Sequence, residues 1–568
     1  MLRHFTVLFL LIFVTLGLSA QEVNDHIDYL SSNLGKIQTK KSEFGQSFGM
    51  QDGADEACMV WYQKTPFGKG DEERFAFNAA DLNENRIQFN TRKDLVILTA
   101  AAKGKKDLIR TYENGEVTGY TDEVEMYASS VEDARKLVEE LKSLAASCGE
   151  RMDANAGLGE DPEKDQVLAY LEENIGEIQI NDDRFDQKFS YDADNSSLIT
   201  YTLSDIADDK VFVYKLNAMD FNVARIDFDT EKKQVIIDTE IKGKRNLVQV
   251  EENGELKNYA NKMRFLAPDI ESARNLALVL KDLARISEDE QGNTQTLRSD
   301  TSPEAALEFL SEKVEKVIIN EDAYDQSFSQ DADLPYIVNY EFQEEGSEDV
   351  QNFRLNLSDM DPSSVDFDVK RNAVFVTAKT SGNDRLIREE KNNALAGFRN
   401  TISMRVSDIE AARALRANLY QAVKHYRENR TNNFELNYPD ADIADAIAYC
   451  KDNIKKIAIN DKSFGQIYEV GEEGDCLAEI EVENIDKGET TGYLFNWQDI
   501  NPSKISFSTK GKEVYVSGET KGRKELIEVA ENGEVDDYEK SFKILCTDIE
   551  SARAMVAAMK LLAKSCAK

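Results

Sequence analysis

Apolar positions along this chain follow two rhythms, and the sequence of rhythms restarts four times. Each round opens with apolar residues at helical spacing, over 27–37, 167–178, 305–317 and 443–457. Short runs with strand-like alternation follow. In the last round they are 464–470, 477–482, 492–497, 505–508, 513–517, 526–529 and 541–545. Asn-Gly pairs at Asn114-Gly115, Asn253-Gly254 and Asn532-Gly533 supply the positive-φ residues of tight hairpins. Each round closes on a helix whose N-cap is Ser130, Asp269, Asp408 or Asp548. In the second round Ile270, Ala273, Leu276, Ala277, Leu280 and Leu283 place one apolar stripe along that helix.

The rounds share residues as well as rhythm. Phe77-Asn78-x-x-Asp81 recurs as Leu216-Asn217-x-x-Asp220, Leu355-Asn356-x-x-Asp359 and Phe495-Asn496-x-x-Asp499, and each closing helix carries Glu132/Arg135, Glu271/Arg274, Glu410/Arg413 or Glu550/Arg553. Successive copies of the Asn lie 139, 139 and 140 residues apart. That period far exceeds a solenoid repeat of about 20–50 residues and is long enough for a core of its own. The fold expected is α+β: four tandem repeats, each an N-terminal helix, about seven antiparallel strands and a C-terminal capping helix. The boundaries expected are 21–151, 163–288, 302–428 and 442–568. The polar linkers 152–162, 289–301 and 429–441 would leave the modules free to move against one another. Residues 1–20, with Arg3 and His4 before an apolar run and Ala20 before Gln21, read as a signal peptide. Cleavage near Ala20 would give a soluble periplasmic or secreted chain, since no later run reaches the roughly 20 apolar residues of a membrane helix.

Seven strands followed by a capping helix resemble the pleckstrin-homology-like superfold, with one helix added in front. The resemblance implies a binding or scaffolding module rather than an enzyme. The lipid-binding version carries Lys or Arg between the first two strands, where this chain has Asp52, Asp55 and Glu56 in one repeat and Asp192 and Asp194 in another. The unit is also similar to tandem domains of uncharacterised exported proteins of Bacteroidota-type bacteria.

Charge narrows the partners. Lys and Arg total 69 against 107 Asp and Glu, a net charge of −38. That sign repels nucleic acid and anionic membranes, whose binding rests on cations neutralising phosphates. The six cysteines point to an oxidising compartment. Cys58 and Cys148 are separated by ninety positions, as are Cys476 and Cys566, and the matching positions hold Ser197/Ser287 and Tyr336/Tyr426. Pairs that change together behave as side chains in contact, so two equivalent disulfides are expected. Cys450 and Cys546 form either a third bridge or two buried thiols.

Three sets of polar residues are candidates for chemistry. The Asn-x-x-Asp phrase either orients a ligand or bonds the backbone of the following turn. Arg135, Arg274, Arg413 and Arg553 either pair locally with the acid three residues before them or reach back to the Asn-x-x-Asp turn. A basic turn recurs as Lys103/Lys105/Lys106, Lys242/Lys244/Arg245 and Lys521/Arg523/Lys524, with Ser381-Gly382-Asn383 in the third repeat. It would hold an anion or acidic peptide, or stand as a solvated hairpin tip. Acidic tips at Asp52/Asp55/Glu56, Asp192/Asp194, Asp331/Asp333 and Glu472/Glu473/Asp475 contain oxygens suited to Ca²⁺ but no EF-hand spacing. Beyond the signal segment there are two His, His26 and His425, and no nucleophile elbow, zinc-binding helix or phosphate loop. No catalytic residue, cofactor or metal site is expected. The reading is a non-enzymatic tandem scaffold for a protein or peptide in the cell envelope, the alternatives being a small-ligand or Ca²⁺ binder and an envelope spacer.

Overall fold

The computed structural model describes residues 22–39, 43–51, 58–67, 70–155, 157–159, 161–298, 301–460, 462–472 and 474–567. The signal segment and the acidic tip Asp52/Asp55/Glu56 lie outside them, as does Glu473. The chain divides into two compact units between Gln295 and Thr296, and each unit contains two repeats.

Every repeat has the same element order, and it contains nine strands rather than seven. Taken in order within a repeat, strands 1-2-3-4-7-8 form a six-stranded antiparallel sheet and strands 5-6-9 a three-stranded one. In the fourth repeat the seven expected strands are present, at Lys462–Val470, Leu477–Asn484, Glu489–Asn496, Ser506–Lys510, Glu513–Glu519, Ile527–Glu531 and Ser541–Cys546. The two additional strands are Ile457–Ile459 and Glu534–Glu539. The first is three residues long and apolar enough to extend the preceding helical pattern, which stops at Asn453. The second, Glu-Val-Asp-Asp-Tyr-Glu, is exposed throughout and shows no buried face to create an alternation.

The turns follow their sequence chemistry. Asn114, Asn253 and Asn532 have φ of 50°, 53° and 52° and each precedes a positive-φ glycine; the third repeat substitutes Asn392-Asn393, both left-handed. The closing helices are capped as expected, with Ser130 accepting from Asp133 N, Asp269 from Ser272 N, Asp408 from Ala411 N and Asp548 from Ser551 N. Their apolar stripes and the inner faces of both sheets form the core. In the first repeat that core joins Leu30, Phe48, Tyr62, Phe77, Met126 and Leu141.

One buried polar residue recurs in each core. Gln187 donates to Gly176 O and Leu266 O, at 3.0 and 3.3 Å, and accepts from Leu266 N and the Tyr201 hydroxyl, at 3.0 and 2.5 Å. Gln46, Gln326 and Gln466 make the corresponding backbone bonds. The side chain ties the end of the first helix to the ninth strand and so holds the two sheets together. Gln187→Leu removes the acceptor of both the fully buried Tyr201 hydroxyl and the Leu266 amide. It is expected to cost about 3 kcal/mol in urea unfolding, against about 1 kcal/mol for Tyr201→Phe.

The segments expected as flexible linkers are helical in part. Helices Val131–Asn155 and Ile270–Arg298 run into them, and a short helix, Asn433–Asn437, buries Phe434 in the core of the fourth repeat. Within each unit the repeats pack directly, so the expectation of loosely tethered modules does not describe either pair.

Candidate functional site

Within each unit the recurring polar residues come together where one repeat meets the other. Each Asn of the Asn-x-x-Asp phrase ends the fourth strand and caps a short 3-10 turn. Asn78, Asn217, Asn356 and Asn496 accept from the amides of Ala80, Met219, Ser358 and Gln498, at 2.9–3.2 Å. That is the backbone role expected of a short polar side chain after a strand. The Asn amide nitrogen faces outward.

In the first unit Asn78 Nδ2 donates to Glu271 Oε1 of the second repeat at 3.0 Å. Arg274 Nη2 reaches both oxygens of Asp81, at 2.7 and 2.9 Å, while its Nε bonds Glu271 at 3.3 Å. Its guanidinium lies 5.4 Å from the Phe228 ring centre. Burial pushes the Asp81 carboxyl up, opposed by the charge of Arg274. The second unit repeats the arrangement. Asn356 Nδ2 donates to Glu550 at 3.0 Å, Arg553 Nη2 to Asp359 at 2.5 Å, and Arg553 lies over Phe507 at 5.3 Å. Here Arg430 adds a second cation on Asp359, at 2.6 Å.

Both alternatives for the arginine therefore hold together. The local pair with the preceding acid forms, and the same side chain reaches an Asn-x-x-Asp turn, that of the preceding repeat. Arg413 bonds Glu410 at 3.0 Å and lies over Phe367, while Asn217 and Asp220 are buried. At the two ends of the chain the halves are exposed. Arg135 bonds only the exposed Glu132 among the contacts described, and Asp499 is half-exposed.

Further contacts repeat between the two joints. Thr230 Oγ1 donates to Asp107 O at 3.1 Å and Thr509 Oγ1 to Arg385 O at 2.8 Å. Asn181 and Asn460, both left-handed, bond the main chain at Val117 and Leu395. A β-carbon added to Gly119 would sit 3.3 Å from Lys232 O, and one on Gly397 3.5 Å from Gly511 O, so glycine permits the approach. Neither a scan against protein-family models nor a search of curated proteins returned a match.

The basic turns are divided in their duties. Their glycines, Gly104, Gly243 and Gly522, are left-handed, at φ of 67°, 65° and 68°. The first lysine of the turn points into its own repeat: Lys242 Nζ donates to Met219 O at 2.8 Å and Lys521 Nζ to Gln498 O at 2.6 Å. Lys106 crosses the joint to Asp227 at 2.8 Å. Lys103, Lys105, Lys244, Arg523 and Lys524 are exposed, and Arg245 is half-buried. In the third repeat Arg427 replaces the missing lysine, donating to Met360 O at 2.9 Å.

Cys58 and Cys148 are bridged, with Cα atoms 5.6 Å apart, as are Cys476 and Cys566, at 5.7 Å. The possible third bridge is not formed. Cys450 and Cys546 are free and buried, the former 3.8 Å from the Met555 sulfur. Burial pushes both thiols up, Cys546 to about 12, so neither is a nucleophile at neutral pH. In the second and third repeats the acidic tips satisfy their own turns: Asp192 accepts from Asp194 N and Asn195 N, and Asp331 from Asp333 N and Leu334 N while pairing with Arg354 at 2.8 Å. Among the described residues no group of three or more His, Cys, Asp or Glu side chains is placed to hold a metal ion. No helix of the described residues is long and apolar enough to cross a membrane.

Sequence reasoning missed the buried glutamines and the inter-repeat placement of the Glu-x-x-Arg pair. The glutamines carried a usable signal, since each precedes the closing strand's bonded residue by 79 or 81 positions. The arginine carried none, because a residue matched in every repeat can contact its own copy or a neighbour's.

Proposed function

We propose that this chain is an exported, non-enzymatic scaffold built from elaborated pleckstrin-homology-like modules, and that it binds a protein or peptide partner of the cell envelope. The observation that supports this reading is the use of the regular polar residues. The Asn-x-x-Asp and Glu-x-x-Arg residues join modules to each other, leaving the exposed basic turn as the feature repeated on the outside. Lys105, Lys244 and Lys524 stand on left-handed glycine turns against a strongly acidic background. An acidic peptide segment is the partner chemistry that such cations select. Nucleic acid and anionic membrane are disfavoured by the overall charge. Export is supported by the two disulfides, which persist in oxidising compartments.

The test is capture from an envelope and periplasmic extract with the oxidised mature chain and with the variant Lys105→Glu/Lys244→Glu/Lys524→Glu. The partner should bind the variant roughly 10–100-fold more weakly, as loss of several charge-assisted contacts requires. Equal retention by both baits, or nothing retained by either, overturns the reading.

A further inference from the structure

The joint inside each unit is one interface used twice, and the first and fourth repeats each expose one half of it. The first repeat presents the side that the second and fourth repeats bury. Arg135 is 59% exposed, where Arg274 in the first joint is 19% exposed; Val131 is 37% exposed, where Ile270 and Ile549 are 8% and 7%. The fourth repeat presents the complementary side. Val535 and Leu526 are 59% and 43% exposed, where Val117 and Leu108 of the first repeat are 7% and 6%. Tyr538 stands open where Phe398 is buried.

We propose that the chain assembles head to tail with further copies of itself, Glu132 and Arg135 of one copy closing on Asn496 and Asp499 of another. The central residues of the internal joints have counterparts here, a Glu-x-x-Arg on the first repeat and an Asn-x-x-Asp on the fourth, although the first repeat has no asparagine matching Asn181 and Asn460. Asn496 already caps its turn through Oδ1, as Asn78 and Asn356 do, which leaves Nδ2 directed to a following glutamate. Asp499 has no hydrogen bond or ion pair among the described residues and takes the arginine. Phe89 and Thr91 occupy the positions of Phe228 and Thr230, so the ring beneath the guanidinium and the hydroxyl at the edge are retained. Val131 supplies the apolar contact that Ile549 makes beside Leu386 and Phe398 in a 230 Å³ cavity of the second unit.

The tail is the more strongly charged side: its hairpin contains Glu528, Glu531, Glu534, Asp536, Asp537 and Glu539, whereas the head carries the cations Arg92, Lys93 and Arg135 beside Asp94, Glu132 and Asp133. The tail departs from the internal joints at Asp537, which stands where Gly119 and Gly397 allow close backbone approach. A carboxylate there faces the position of Lys93, so the joint between copies is more electrostatic and more open than the internal ones. A head and a tail on every copy make a heterologous contact, which propagates as an open chain or closes as a ring. The inference stands on the joint geometry and is independent of the basic-turn reading above.

Sedimentation velocity of the mature chain, from about 1 μM to about 1 mM, tests it over the range of weak to moderate protein contacts. The wild type should form a concentration-dependent series that shrinks with added salt. Arg135→Glu and Asp499→Ala each change an exposed or half-exposed side chain, and each should be monomeric alone. Mixed in equal amounts they should form a dimer and nothing larger, because one retains only a tail and the other only a head. A wild type that stays monomeric throughout overturns the proposal. So does a variant that associates as the wild type does, or a dimer that forms within each variant alone.

Discussion

Replacing Asp81 with alanine is expected to uncouple the first repeat from the second and to cost about 3–5 kcal/mol, the penalty of leaving one partner of a buried ion pair behind. Arg274 bonds both oxygens of Asp81 and would then keep Glu271 as its only carboxylate, at a mostly buried site. Urea unfolding should change from one transition for the first unit to two, as each repeat loses the support of its neighbour. Arg135→Ala is the internal control. It removes the same residue from the same place on the closing helix, but at an exposed pair, and should alter stability by no more than about 1 kcal/mol. Asp81→Leu combined with Arg274→Met should recover most of the loss, since apolar groups of similar size avoid the desolvation penalty. Equal costs for Asp81→Ala and Arg135→Ala would show that the joint carries no coupling.

The second large effect is expected from the bridges. Cys476→Ser with Cys566→Ser opens a closed loop of ninety residues, which the chain-entropy account values at roughly 4 kcal/mol. Reduction should act alike on the first and fourth repeats and leave the second, with Ser197 and Ser287 in the same places, unchanged. Hydrogen exchange read by mass spectrometry, with and without reductant, resolves the repeats in one experiment. Titration of free thiols should find none in the native oxidised chain and two after unfolding, because Cys450 and Cys546 are buried and held protonated. Uniform loss of protection in all four repeats on reduction would contradict this account.

The repeat order, the helix caps, the hairpin asparagines and both disulfides were legible in the sequence because each depends on local chemistry or on comparison between copies. The strands at Ile457–Ile459 and Glu534–Glu539 were not. One is too short to show a period and the other buries no face, so neither leaves an apolar pattern. The third bridge failed for a related reason. Cys450 and Cys546 occupy core positions where Leu171, Ala267, Leu310 and Val406 stand in other repeats, and a thiol there packs as a small apolar group. For the basic turn, sequence located the cations but could not separate Lys242 and Lys521, which bond carbonyls of their own repeats, from the exposed Lys244 and Lys524.

By itself the sequence determined four copies of one α+β unit, with their turns, caps and covalent staples, because those features are set by residues close in the chain or by the match between copies. Only the tertiary structure decided what the matched polar residues do. Asn78 and Asp81 meet Glu271 and Arg274 at a separation of 193 positions, across a contact between copies. Repetition hides such a contact, since identical residues in every copy leave the choice between self and neighbour to packing. Burial of those charges in the joint, and their exposure at the two ends, follows from that choice.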